Sequence, residues 1–182
     1  MIYSMNPWTG ETIQGFEEHT NEEIDAALTS AVTTQSHWRE QPIEKRVALL
    51  GTLARILRTR KSELASLITL EMGKPIAEAE AEIEKCAYNC DHYAGAAAEY
   101  LSTELVTSTA TESSIEFEPL GVVLAIMPWN YPFWQLFRFA APALAAGNAA
   151  ILKHASNVPK CALAIEQVFT KAGGRRDYSQ RF

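Results

Sequence analysis

The chain has 182 residues, 47% of them apolar and 21% charged, with a net charge of −6. That length suits one domain with a real core, and the composition is that of an ordinary soluble globular protein. The acidic balance without a basic stripe excludes a nucleic-acid surface, and every apolar run breaks well short of a membrane span. The opening MIYSMNPWTGE has neither a basic nor an apolar leader segment, so no signal peptide is indicated. Three cysteines without disulfide-framework spacing fit a reducing cytoplasm.

Asn6-Pro-Trp-Thr-Gly10 reads as a turn, with an edge strand near residues 12–16. Thr20-Asn-Glu-Glu23 is a capping-box pattern, and the helix it starts shows Ile24, Ala27, Leu28, Ala31 and Val32 on one apolar face. Pro42 is expected at the first position of a second helix, with Ile43, Val47, Leu50, Leu53 and Leu57 as its buried stripe. The basic run over residues 55–61 reads as a solvated face near that helix's C-terminus. Ser62 is expected to cap a third helix that buries Leu64, Leu67, Ile68 and Met72 and stops at Gly73.

A long helix follows, from about Ile76 to Tyr100, with Glu78, Glu80, Glu82 and Glu84 placed on a mostly exposed surface. Four close glutamates could suggest a metal, but no histidine or second carboxylate cluster completes a coordination shell. Cys86 and Cys90 are one turn apart and read as core sulfur rather than zinc ligands, since His92 points away from their face. Cys161 lies in the last helix without an evident activating base. Residues 102–114 are rich in Thr, Ser and Glu and read as a linker; residues 114–118 alternate like a half-buried strand with no partner nearby in sequence.

Residues 119–156 organise the rest. The apolar run over residues 121–127 predicts a strand buried on both faces, as in a parallel sheet covered by helices. Pro128 and Pro132 bracket the turn Trp129-Asn130-Tyr131. A helix carries Trp134, Phe137, Arg138, Ala141 and Leu144 until Gly147-Asn148 stops it, and a second apolar run from Ala149 ends in Lys153. This is a βαβ unit, and ligands of open α/β sheets bind outside the carboxyl ends of the strands. On residue chemistry alone, Asn130 either satisfies its own turn or donates to an oxygen gaining negative charge. Arg138 either forms an interhelix pair or holds a carboxylate with its fork. The Lys153 ammonium must reach solvent or an anion.

MPWNYP followed by KHAS, with Glu71-Met-Gly-Lys-Pro75 upstream, resembles the aldehyde dehydrogenase superfamily over residues 1 to about 173. MPWNYPFWQLFR with KHAS is similar to its succinate-semialdehyde branch in particular. The resemblance implies an α/β fold: N-terminal helices plus the first βαβ unit of a Rossmann-like nucleotide-binding domain, incomplete. It divides the chain into a helical part (1–100), a linker with an oligomerisation strand (101–118), the first βαβα (119–173) and a non-family tail (174–182).

For chemistry, the resemblance implies that Asn130 stabilises the oxyanion formed when a cysteine thiolate attacks an aldehyde. Ile126, Met127, Pro128, Trp129, Asn130, Lys153, His154, Ala155 and Ser156 would line the NAD or NADP groove. Arg138 with Trp134 would hold the distal carboxylate of a semialdehyde substrate, and no metal is implied. Ser156 stands where NAD-preferring relatives often carry an acidic residue, so NADP is expected to be tolerated. Family members are homo-oligomeric.

The family's nucleophilic cysteine and its water-activating glutamate belong to later segments. The tail Gly174-Arg-Arg-Asp-Tyr-Ser-Gln-Arg-Phe182 is polar, basic and without strand period, like the product of a shifted reading frame or an alternative terminus. Two nucleotide-domain strands with bare edges are expected where the family has about five. The isolated chain is therefore expected to show no turnover. The alternative is a non-catalytic fragment that binds nucleotide or associates with other subunits.

Overall fold

Strand β1 (Ile2–Met5) pairs antiparallel with β2 (Thr12–Phe16) across the Asn6–Gly10 turn, where the Gly10 amide donates to the Asn6 carbonyl at 2.8 Å. The structure is a computed structural model that describes residues 1–173 and the backbone of residues 179–181. Helix α1 (Asn21–Arg39) starts at the expected capping box: Thr20 accepts the Glu23 amide and Glu23 accepts the Thr20 amide. Its buried stripe is Ala27, Ala31, Thr34, Gln35 and Trp38, whereas Leu28 and Val32, expected inside, are exposed. The Trp38 indole donates to the Leu144 carbonyl at 2.9 Å and the Gln35 amide to the Gly147 carbonyl at 3.2 Å. Those two bonds select the face that turns inward, which hydropathy alone does not reveal.

Helices α2 (Ile43–Thr59), α3 (Lys61–Met72) and α4 (Ile76–Tyr100) form a helical layer. Pro42 is the cap residue of α2 rather than its first helical position. Ser62 does not cap α3; the cap position is Arg60, the residue that also ends α2, so the two helices follow without a linker. The basic run over residues 55–61 is partly an interhelix clasp: Arg58 pairs with Glu84 and Asp91 of α4 at 2.8 and 2.6 Å. Both pairs are solvent-accessible, which limits their contribution to about 1 kcal/mol at most.

Residues 104–105 and 114–115 form the strands β3 (Glu104–Leu105) and β4 (Ser114–Ile115) of a short antiparallel ribbon. The strand expected over residues 114–118 is therefore shorter, fully exposed and paired with a neighbour ten residues earlier.

Next come β5 (Val122–Met127), α5 (Trp134–Ala145), β6 (Ala149–His154) and α6 (Pro159–Lys171), and β5 and β6 pair in parallel as expected. β7 (Ser179–Arg181) joins the other side of β6, also in parallel, so the sheet order is β5-β6-β7. Two expectations are corrected here: the sheet has three strands, and residues 179–181 pair as one of them, satisfying backbone groups of residues 150–152. Residues 174–178 and 182 of the expected tail lie outside the described residues.

β5 is not buried on both faces. Ala125 is inside, in the core it shares with α5, but Leu124 is 59% and Ile126 68% exposed, and no described element covers those two side chains. One continuous core runs from Leu50 through Ile83, Cys86 and Cys90 to Phe137, Leu152, Ile165 and Phe169, joining the helical layer to the βαβ unit. Among the described residues, no helix is long and apolar enough to cross a membrane.

Candidate functional site

Parallel pairing in register sets Ile126 beside Lys153 and Met127 beside His154, so both strands end at the same level. The turn over residues 128–133 leaves the end of β5, and residues 155–158 leave the end of β6. Lys153 shares a face with Ile126, while Leu152 turns inward with Ala125. This alternation puts the Lys153 ammonium in solvent at the carboxyl edge, as burial cost demands.

Ile126, Pro128, Trp129, Asn130, Lys153 and Ser156 are exposed, and Met127 and Ala155 are half-buried. Lys153, Ala155 and Ser156 border a cavity of about 390 Å³ whose walls include Ile24, Pro159 and Leu163. Glu17, Glu18 and His19 also line it, so an apolar wall with a cation, a hydroxyl and two carboxylates around it could hold a nucleoside through its hydroxyl groups. Trp129 and Asn130 lie outside this cavity, on the turn at the end of the adjacent strand.

His154 departs from its expected place in the groove. It is 4% exposed, its Nδ1 lies 2.8 Å from the Ala155 amide and its Nε2 lies 2.9 Å from the Pro132 carbonyl. An amide can only donate and a carbonyl only accept, so Nδ1 is bare and Nε2 carries the proton. Burial pushes the His154 pKa down, in keeping with this neutral tautomer. Although its ring touches the cavity, both nitrogens are committed to the fold, and the residue ties the tip of β6 to the turn that carries Asn130.

Sequence reasoning placed Glu82 on an exposed surface, and this is corrected: it is 3% exposed. One carboxylate oxygen accepts the amides of Phe133 and Trp134 at 2.9 and 3.0 Å, and the other pairs with the buried Lys74 ammonium. Lys74 in turn sits 3.6 Å from the centre of the Tyr131 ring. Glu71 is 2% exposed and accepts the amides of Lys160 and Cys161 at 2.9 and 2.7 Å and the Ser4 hydroxyl at 2.5 Å. A signal for both was present: Glu82 falls on the stripe Ala79, Ile83, Cys86, Cys90, and Glu71 continues Leu64 and Ile68 at helical spacing.

Trp134 is half-buried under the Lys85 ammonium, which lies 4.1 Å from the ring centre. Arg138, one turn further along α5, is exposed and donates to Gln135 Oε1 at 2.9 Å. Among the described residues neither Lys85 nor Arg138 pairs with a carboxylate. Lys85 was not anticipated, because a single lysine on a helix carries no motif. The three cysteines are buried and unpaired. Burial raises all three thiol pKa values, that of Cys90 to about 12.

Residues 1–177 match the aldehyde dehydrogenase family. The chain belongs to that family. Over 172 residues this aldehyde dehydrogenase chain is 54% identical to a probable NADP+ succinate-semialdehyde dehydrogenase of Synechocystis sp. (strain ATCC 27184 / PCC 6803 / Kazusa), covering 94% of this chain and 38% of that protein. It is 42% identical over 175 residues to succinate-semialdehyde dehydrogenase [NADP(+)] 1 of Mycobacterium tuberculosis (strain ATCC 25618 / H37Rv), again covering 94% of this chain and 38% of that protein. Succinic semialdehyde dehydrogenase from Streptococcus pyogenes, solved in complex with NADP+, superposes with a TM-score of 0.96 at 31% identity, over 100% of this chain and 40% of that one. The aldehyde dehydrogenase chain thus spans about 38% of the length of the curated relatives it matches.

Proposed function

We propose that this chain forms the oxyanion-donor and cofactor-cradle portion of an NADP-dependent succinate-semialdehyde dehydrogenase. The observation that carries the reading is the exposed Asn130 amide and Lys153 ammonium at the carboxyl ends of two register-paired strands, in a member of this family. A bound dinucleotide would supply the hydride acceptor for the oxidation. Lys153 and Ser156 would hold its adenosine ribose and any 2′-phosphate, with Trp129 and residues 126–128 along the groove. Met127 and Ala155 contribute only what their half-buried positions leave open, and His154 acts through the fold.

Asn130 donates its side-chain amide to the aldehyde oxygen as that oxygen gains charge, an interaction often worth about 3 kcal/mol in the transition state. Arg138 and Trp134, with Lys85 adding positive charge, receive the distal carboxylate of the semialdehyde. None of the three cysteines serves as the nucleophile, because each is buried with its thiol held protonated. The exposed β3–β4 ribbon, with Leu105 77% and Ile115 48% exposed, is the surface through which subunits associate, and the compartment is cytoplasmic.

Titration of the 182-residue chain with NADP and NAD, followed by tryptophan emission, tests the cofactor reading. NADP is expected to bind at least as tightly as NAD, Lys153→Met to weaken both, and Ser156→Glu to weaken NADP selectively. A chain that binds NADP no better than its Lys153→Met variant overturns it.

A further inference from the structure

The helices that follow the two site strands lack caps of their own. Neither α5 nor α6 has a side-chain cap from its own N-cap residue, although the first amides of a helix have no partner within it. Both are supplied from one place. Helix α3 ends at Gly73, whose left-handed φ of +74° only glycine adopts freely, and α4 begins three residues later. Glu71 on one side of that turn takes the first amides of α6. On the other side, Glu82 takes the amides of Phe133 and Trp134 at the start of α5. Lys74 neutralises Glu82 and lies over the Tyr131 ring, the residue next to Asn130.

We infer that residues 71–82 act as a jig that sets the two strand tips relative to each other, with the Lys74–Glu82 pair as the positioning residues for Asn130. This rests on the reading of Asn130 as the oxyanion donor. Stability alone is a poor account of such a pair, because apolar residues of similar volume often replace a buried ion pair without loss. What the pair supplies instead is direction: two amides converge on one oxygen, which admits a single orientation of the turn that ends at Phe133. Glu71 does the same for the segment after Lys153, so one short connection fixes both tips.

The test uses the full chain, with neither cofactor nor aldehyde. Amide exchange at residues 133, 134, 160 and 161 and the Asn130 side-chain amide resonances are followed by NMR in Glu71→Ala, Glu82→Ala and the paired Lys74→Met/Glu82→Leu variant. Glu82→Ala should speed exchange at Phe133 and Trp134 by roughly tenfold or more and leave Lys160 and Cys161 protected; Glu71→Ala should do the reverse. The paired variant leaves no charge buried and should melt above Glu82→Ala but below wild type, since the Phe133 and Trp134 amides still lack their acceptor, while the Asn130 amide shifts or splits. A paired variant that folds and keeps wild-type Asn130 resonances overturns the inference, whatever its melting temperature. So does loss of folding in every Glu82 variant, which would assign the pair to stability alone. Failure of the chain to bind NADP would strike the proposed function and leave these readouts unchanged.

Discussion

Acidification should loosen the segment that follows β6 through His154, while the bond to the turn that carries Asn130 persists. In the folded chain its bare Nδ1 accepts the Ala155 amide at 2.8 Å. Protonation would place an N–H against that N–H, breaking the bond while Nε2 still donates to Pro132. Burial is the main cause of the lowered pKa, and the adjacent Lys153 charge lowers it further; the Pro132 carbonyl, Glu71 and Glu82 oppose the shift. The sign follows from the folded value lying below the unfolded one. Between those two values the unfolded chain binds the proton and the folded chain does not, so stability is full above about pH 6.5 and declines as pH falls toward the folded value. The slope contributed by this one group is at most about 1.4 kcal/mol per pH unit. His154→Phe keeps the ring in its slot but leaves the Ala155 amide and the Pro132 carbonyl without partners, costing about 1–3 kcal/mol at neutral pH. Urea midpoints measured from pH 8 to pH 5 check both statements: the wild-type midpoint should fall more steeply below pH 6.5 than that of the variant. Parallel curves, or a variant as stable as wild type at pH 7.5, would refute the tautomer and the anchoring derived from it.

Four further outcomes follow. Cys86, Cys90 and Cys161 should resist thiol reagents under native conditions and react together on unfolding, and the chain alone should give no NADP-linked oxidation of succinate semialdehyde; fast native labelling of any one thiol would contradict their burial. Trp38→Phe removes the donor to the Leu144 carbonyl, so the urea midpoint should drop by the equivalent of about 1–2 kcal/mol, and an unchanged midpoint would show that bond to be idle. Gly147 holds φ +88°, and a Cβ there would stand 3.1 Å from Arg46 Nη1. Gly147→Ala should therefore cost about 1–2 kcal/mol by thermal melting, and a variant that melts no lower would count against the strain.

What could be read from the sequence was whatever depends on neighbours close in the chain. The Thr20–Glu23 capping box, the limits of α4 and the strand–turn–helix–strand of residues 121–154 are local patterns, and each is where its pattern put it. The failures share one cause, which is that distant partners decide the outcome. Glu82 looked solvated among Glu78, Glu80 and Glu84, yet the amides of Phe133 and Trp134, about fifty residues on, draw it inside. Ser62 has the right chemistry for a cap, but α3 begins directly where α2 ends and leaves no room for one. His154 sits in a motif read as a groove lining, and only the approach of the Pro132 carbonyl shows that its nitrogens are spent on the fold.

The same logic explains why an apolar run misled on β5. Period and composition report what a strand can tolerate on each face, not what the chain places there. Ala125 meets the core while Leu124 and Ile126 do not, although all three belong to one unbroken hydrophobic stretch. For the site this matters, because Ile126 and Lys153 share the open face by register. A covered Ile126 would require a neighbour whose bulk also stood beside the Lys153 stem. The open face instead leaves an apolar side chain next to a cation at the carboxyl edge of the sheet.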